Sequence, residues 1–248
     1  MSGISIIQAL QGGLIVSCQA PAESPMHQPE VIAAMAEAAV NQGAIAIRLD
    51  TPAHVKAVRQ KISLPIIGLW KQQIPGFEVY ITPQFDHAAA IAQAGSDIIA
   101  IDATARSRPN QETVATLIER IHTELGKLVM ADVDTLAAAI AAADAGADLI
   151  GTTLYGYTAE TQHLRPPGFD LLAELVKNLQ VPIICEGGIA SPQMAKHALD
   201  LGAYAVVVGT AITGIDLQVK AYATALSNQH SVARGMERSQ GHQIHLPQ

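Results

Sequence analysis

The chain has 248 residues, of which 49% are hydrophobic and 15% charged, a length and composition that fit one α/β domain with a large core. Its formal net charge of -7 gives no basic field for a nucleic-acid backbone or an anionic membrane, and no apolar run approaches the roughly 20 residues that span a bilayer. Cys18 and Cys185 lack CxxC or CxxH neighbours, and no basic region precedes the first apolar residues. A soluble, unprocessed, cytoplasmic protein with reduced thiols, acting on a small molecule, is therefore expected.

Residues 1–12 read as a short amphipathic lead-in, with either Ile4, Ile7 and Leu10 or Ile6 and Leu10 at helical spacing. Leu14 to Cys18 is a first buried strand, running into Gln19 and a proline-rich loop. The pattern then predicts a helix from Pro29 to Gln42, a strand from Gly43 to Arg48, a helix from Pro52 to Ile62 and a strand from Leu64 to Trp70. These strand runs are short, β-branched and without alternation, as parallel strands covered on both faces are. A repeat emerges along the chain. The entry QGAIAI at 42–47 recurs as AGSDIIAI at 94–101, AGADLIG at 145–151 and LGAYAVVVG at 201–209. KISLPIIG at 61–68 matches NLQVPIIC at 178–185, and LGKLVMA at 125–131 falls between them. The alternating units amount to about eight strand–helix pairs, the count of a single (β/α)8 TIM barrel. A doubly wound open sheet is the structural alternative, but it usually has fewer strands and does not explain the alternation.

The stretch 181–213 is the most informative. Val181 to Cys185 and Ala205 to Val208 are apolar runs that each end in a glycine-containing turn, with a helix from Ser191 to Leu201 between them, closed by Gly202. In such a barrel the loops after the last two strands form the usual phosphate site, which nominates the backbone of Gly187, Gly188, Gly209 and Thr210 for phosphate binding. Two long loops, Lys71 to Pro83 and Leu154 to Gly168, overhang the same face. The barrel is assigned to residues 1–228. Apolar periodicity fades from Ser227, so 229–248 is predicted to be a flexible tail, its His230, His242 and His245 solvated rather than metal-binding. No metal-ligand set is present, and GxSxG, Walker and early GxGxxG motifs are absent, so no cofactor is called for.

The residues at which the apolar strands stop are Gln19, Arg48, Lys71, Asp102, Asp132, Thr152, Glu186 and Gly209-Thr210. Five of these positions carry ionisable side chains, which gathers charge at the mouth of the barrel, where catalytic groups collect. Taken singly each could be a solvated loop residue or a helix cap, and Asp132 before VDT is a candidate N-cap. Lys71 and Glu186 follow strands three and seven, four apart around the barrel, and so face one another across the mouth. That arrangement suits removal of a proton from one face of a carbon and its return to the other. A lysine, with an ordinary pKa near about 10.4, needs desolvation or a cationic neighbour such as Arg48 to act as a base near neutrality. The alternatives are a structural Lys71–Glu186 ion pair, a Schiff-base aldolase using Lys71, and a sugar-phosphate-binding barrel without activity.

These residues also resemble a known family, the N-acetylmannosamine-6-phosphate 2-epimerases of amino-sugar and sialic acid catabolism. The resemblance runs through GGLIVSCQA at 12–20, AIRLD at 46–50, PIIGLWK at 65–71, VYITP at 79–83, IIAIDATARSRP at 98–109, MADVDT at 130–135, IGTTLYGYT at 150–158, CEGGI at 185–189 and VVVGTAIT at 206–213. It implies a TIM-barrel isomerase without a cofactor that moves a proton at C2 of a phosphorylated sugar. Lys71 and Glu186 would be catalytic, and Gln19, Arg48, Asp132, Thr152 and Tyr155 would contact substrate. A homodimer is what the resemblance implies for assembly. Members often carry arginine where Gln72 stands, a basic residue at Gly188, and arginine at Gly214, the last frequently a phosphate contact. The expectation is therefore a weaker preference for the phosphorylated over the free sugar, widened by Gly214→Arg.

Overall fold

Each repeated glycine turns the chain from a helix into a strand. The backbone is left-handed there, with φ of 99° at Gly43, 110° at Gly95, 95° at Gly146 and 99° at Gly202, a region in which a side chain would crowd the backbone. In all four units the strand begins three residues later, at Ala46, Ile98, Leu149 and Ala205. The repeat in the sequence is thus a repeated helix stop followed by a fixed run into the sheet.

The structure, a computed structural model, describes residues 3–239, with side chains to Ser227. The strands are β1 (Leu14–Cys18), β2 (Ala46–Asp50), β3 (Ile66–Leu69), β4 (Ile98–Asp102), β5 (Leu128–Asp132), β6 (Leu149–Gly151), β7 (Ile183–Cys185) and β8 (Ala205–Val208). They form one closed parallel barrel in chain order, with β8 returning to β1 through Leu14↔Val206 and Val16↔Val208. The open-sheet alternative is excluded by that closure. β2 starts later than expected because Gly43 to Ile45 make the turn, and it runs on to Asp50.

The helices are α1 (Gly3–Ala9), α2 (Pro29–Asn41), α3 (Pro52–Arg59), α4 (Phe85–Ala94), α5 (Val114–Arg120), α6 (Leu136–Asp144), α7 (Phe169–Asn178), α8 (Pro192–Asp200), α9 (Thr210–Thr213) and α10 (Ile215–Ser239). Thr51, Thr113, Thr135 and Ser191 cap α3, α5, α6 and α8 by accepting the N–H three residues on, each cap contributing roughly 1 kcal/mol. Thr135 caps α6, so Asp132 is released from the capping role that its position suggested.

Apolar residues divide into two layers. Inside the barrel lie Ile15, Ala46, Ile67, Leu69, Ile98, Ala100, Met130, Leu149, Ile184, Ala205 and Val207. Outward-facing strand residues such as Val16, Ile47, Ile99 and Ile150 pack with the helices, so every strand is covered on both faces, as its unbroken apolar run requires. Ile6 and Leu10 join the inner layer while Ile4 is 73% exposed. Ile7 packs partly against the same layer, so the lead-in buries Ile6 and Leu10 and leaves out Ile4. At the other end the loop after β3 folds back on itself, with Lys71 bridging Ile81 and Gln72 N–H donating to Tyr80 O. Ile81 thereby enters the inner layer and Tyr80 is brought beside Lys71.

Of the tail expected over 229–248, residues 240–248, including His242 and His245, lie outside the described residues, as does the side chain of His230. The backbone of α10 is helical to Ser239. Among the described residues no helix is long and apolar enough to cross a membrane.

Candidate active site

The strand ends open into a cavity of about 490 Å³ lined by Gln19, Arg48, Lys71, Glu186, Gly187, Gly188, Gly209 and Thr210, together with Ser17, Tyr80, Thr153 and Tyr157. A neighbouring cavity of about 590 Å³ shares Ser17, Gln19, Lys71, Gly209 and Thr210 and extends to Gln72, Gly214 and Asp216. Residues on or just after β1, β2, β3, β7 and β8, distant in sequence, therefore meet at one mouth, because parallel strands all end on the same face.

One side of the site is a buried charge cluster. Arg48 is 1% exposed, and its Nη2 lies 2.6 Å from Asp132 Oδ2 while its Nη1 lies 2.9 Å from Glu186 Oε2. A second contact, Nη1 to Asp132 Oδ1 at 3.2 Å, makes the Asp132 pair bidentate. Burial works against the Arg48 cation, but the charges of Asp132 and Glu186 outweigh it and raise its pKa. Burial likewise pushes the Glu186 carboxyl up to about 7, opposed by Arg48, helped by Asp132, and opposed again by a hydrogen bond donated from Thr153 and by Lys71. A carboxyl that titrates there can hold or release a proton near neutrality. Tyr80 is pushed up to about 12, by burial first and then by the charges of Asp132 and Asp102, so its phenol remains a hydrogen-bond donor.

The other side is the lysine. Lys71 Nζ donates to Gln19 Oε1 at 2.5 Å, Gln19 Nε2 donates to Ser17 Oγ at 3.0 Å, and the Lys71 N–H donates to Asp50 Oδ1 at 2.9 Å. The ends of β1 and β2 thus orient the ammonium and its backbone. Lys71 and Glu186 have different hydrogen-bond partners, and the structural ion pair between them is not formed.

Three of the residues expected to contact substrate do not line the cavity. Asp132 is fully buried behind Arg48. Thr152 is 1% exposed, its hydroxyl donating to Glu186 O at 2.8 Å and accepting from Glu186 N–H at 3.0 Å, so it pins the strand that presents Glu186. Tyr155 has its ring against Gly168, where a Cβ would lie 2.8 Å from the Tyr155 Cγ. Their neighbours Thr153 and Tyr157 face the cavity instead. GTTLYGYT carried the right chemistry, but after β6 no alternation tells which threonine and which tyrosine turn inward. Asp102 also turns away, bonded to Thr104 and Arg106.

A family model described as "Putative N-acetylmannosamine-6-phosphate epimerase" matches residues 32–228. The chain belongs to this epimerase family. A relative from Thermosynechococcus vestitus named "Putative N-acetylmannosamine-6-phosphate 2-epimerase" is 62% identical over 223 residues, covering 90% of this chain and 97% of its own. One of the same name from Synechococcus elongatus is 64% identical over 223 residues, covering 89% and 96%. The solved structure of the N-acetylmannosamine-6-phosphate 2-epimerase from Clostridium perfringens matches with a TM-score of 0.85 at 40% identity, covering 89% of this chain and 96% of that one.

Two departures from the epimerase pattern have a steric basis. A Cβ at Gly188, where φ is +70°, would lie 2.6 Å from Pro166 Cβ and 2.7 Å from Pro166 C. A Cβ at Gly214 would lie 2.8 Å from the Cα and the carbonyl oxygen of Thr210. The arginine expected to strengthen phosphate binding at 214 therefore has no room for even its first carbon unless α9 shifts, and the expected benefit of Gly214→Arg is withdrawn.

The raised carboxyl in this epimerase site has a consequence for stability. Below pH 4.5 both native and unfolded chains hold the Glu186 proton; between 4.5 and about 7 only the native chain does. Stability from this group is therefore full at acid pH and is lost as pH rises through about 7. Glu186→Gln is expected to lower kcat by about a hundredfold or more, with less effect on KM. Its thermal midpoint should gain on the parent between pH 5 and pH 8. A midpoint difference constant over that range would show that Glu186 ionises in the native chain at its ordinary pH.

Proposed function

We propose that this chain interconverts N-acetylmannosamine 6-phosphate and N-acetylglucosamine 6-phosphate by removing and returning a proton at C2, in amino-sugar and sialic acid catabolism. The observation that carries the reading is the pair of proton-bearing groups, Lys71 and Glu186, each oriented by its own partners in one cavity. Lys71 and Glu186 act at the two faces of C2, and the reaction, a proton transfer next to a carbonyl, needs no cofactor. Gln19 and Arg48 contact the sugar directly. Asp132, Thr152 and Tyr155 contribute through the residues they hold. The consecutive left-handed glycines Gly187 and Gly188, with φ of 101° and 70°, and the Gly209-Thr210 turn bring backbone to the cavity wall without side chains in the way. That supports binding of the phosphate by backbone N–H groups there. Turnover in deuterium oxide tests the proposal: deuterium should appear at C2 of both epimers. Interconversion without exchange would count heavily against proton transfer through these two groups, and a borohydride-trapped adduct on Lys71 would replace it with the aldolase reading.

The protein acts in the cytoplasm and as a homodimer on this reading. α10 follows β8, where the repeat calls for a helix against the barrel wall, yet among the described residues its main contacts are with α9. Ile215, Val219 and Tyr222, spaced to share one helix face, are 50%, 62% and 71% exposed. A second copy carries the same uncovered face, and two such faces can cover one another about a twofold axis. Sedimentation equilibrium should give twice the chain mass, and Tyr222→Asp should shift it toward the single chain. A parent protein that sediments as one chain at assay concentrations would refute the dimer.

A further inference from the structure

Thr153 has one hydroxyl hydrogen and two carboxyl groups within reach. Its Oγ1 lies 2.6 Å from Asp132 Oδ1 and 3.1 Å from Glu186 Oε2. One hydrogen cannot be given fully to both. The shorter contact assigns it to Asp132, which is buried and fixed by two bonds from Arg48. A lone pair of the Thr153 oxygen then faces Glu186 Oε2. If Glu186 is ionised, two acceptors oppose one another across that contact; if it is protonated, it donates to Thr153. We propose that Thr153 is a positioning residue that holds the proton of Glu186, through a chain in which Glu186 donates to Thr153 and Thr153 donates to Asp132.

The inference rests on the proton-transfer role given to Glu186 above and adds what sets its resting state. When Glu186 releases its proton, the Thr153 hydroxyl can rotate its hydrogen from Asp132 to the new carboxylate. The protonated state then has two hydrogen bonds through Thr153 and the ionised state one, so the hydroxyl favours the acid form. The charged groups facing Glu186 from the other elements are Arg48 of β2, Asp132 of β5 and Lys71 beyond β3. Arg48 and Lys71 draw Glu186 toward the anion, Asp132 toward the acid. A hydrogen bond donated by Thr153 to the anion would act with Arg48 and Lys71; with its hydrogen on Asp132, as the 2.6 Å contact assigns it, Thr153 instead reinforces the Asp132 side without carrying charge itself.

The sign of one measurement separates this arrangement from a plain hydrogen bond donated by Thr153 to an ionised Glu186. Thr153→Val keeps the shape and removes the hydroxyl, with Thr153→Ala as a second hydroxyl-free variant should valine disturb the fold. The titration of the Glu186 carboxyl carbon is followed by ¹³C NMR in the free enzyme, its resonance assigned by loss in Glu186→Gln. Its midpoint should move down by about one pH unit, the size of one hydrogen bond, and Thr153→Ser should restore it. A midpoint that stays in place or moves up would overturn the inference, whatever the activity. The pH profile of kcat/KM is read in parallel. If it does not follow the shifted midpoint, the role of Glu186 in turnover fails while the proton-holding chain stands.

Discussion

Lys71→Ala is expected to lower kcat by about a hundredfold to ten-thousandfold, the range for loss of a general acid or base, with its thermal midpoint within about 2 °C of the parent. The two halves of this expectation have separate physical reasons. The ammonium is held by a single side-chain partner, Gln19, outside the apolar layers, so its removal opens no cavity in the core. The backbone N–H that anchors the loop to Asp50 is untouched by the substitution. Chemistry is another matter, because among the described residues that line the cavity no second lysine stands beside Lys71 to take over its proton. Circular dichroism and melting curves check the fold, and steady-state rates in both directions check the role. Activity within tenfold of the parent would remove Lys71 from the proton transfer.

Arg48→Met should have the largest effect on stability. The guanidinium is the counter-charge for two carboxyl groups, Asp132 at 2.6 Å and Glu186 at 2.9 Å, neither of which has much access to water. Methionine fills part of the volume but leaves the pair of carboxylates facing one another. Breaking a buried pair from one side costs about 3–5 kcal/mol, which for a chain of this length is a fall in melting temperature of roughly 6–20 °C. The loss should be greatest above pH 7 and smaller near pH 5, where Glu186 holds its proton and only Asp132 remains charged. Urea titrations at the two pH values measure this directly. A loss below about 1 kcal/mol at pH 8 would mean that water or a rearranged partner replaces Arg48.

Much of this protein is decided by local sequence because the deciding signals are local. The glycines at 43, 95, 146 and 202 stop helices wherever they are placed, since only a residue without a Cβ enters the left-handed turn freely. Short, unbroken apolar runs between them must be covered on both faces, and about eight such units in alternation close on themselves as a barrel. Parallel strands that end on one face then bring Gln19, Arg48, Lys71 and Glu186 together, whatever their separation in the chain.

Other features depend on which way a side chain turns, and that is set by contacts made from far away. The lead-in admits two helical stripes, and the open end of the barrel selects Ile6 and Leu10 over Ile4. Thr152 and Thr153 are equivalent in composition, yet the backbone of Glu186, just after β7, takes the first and leaves the second to the cavity. Tyr80 reaches the site because its loop folds back on Lys71, a pairing that no periodicity announces. The sharing of Arg48 between Asp132 and Glu186 joins three strands, and a charge at the end of a strand has no partner until the closed barrel supplies one. Gly214 shows the same limit from the other side: its place in the chain resembles an arginine position, but Thr210 occupies the space where a Cβ would go, and only the folded chain brings that backbone there.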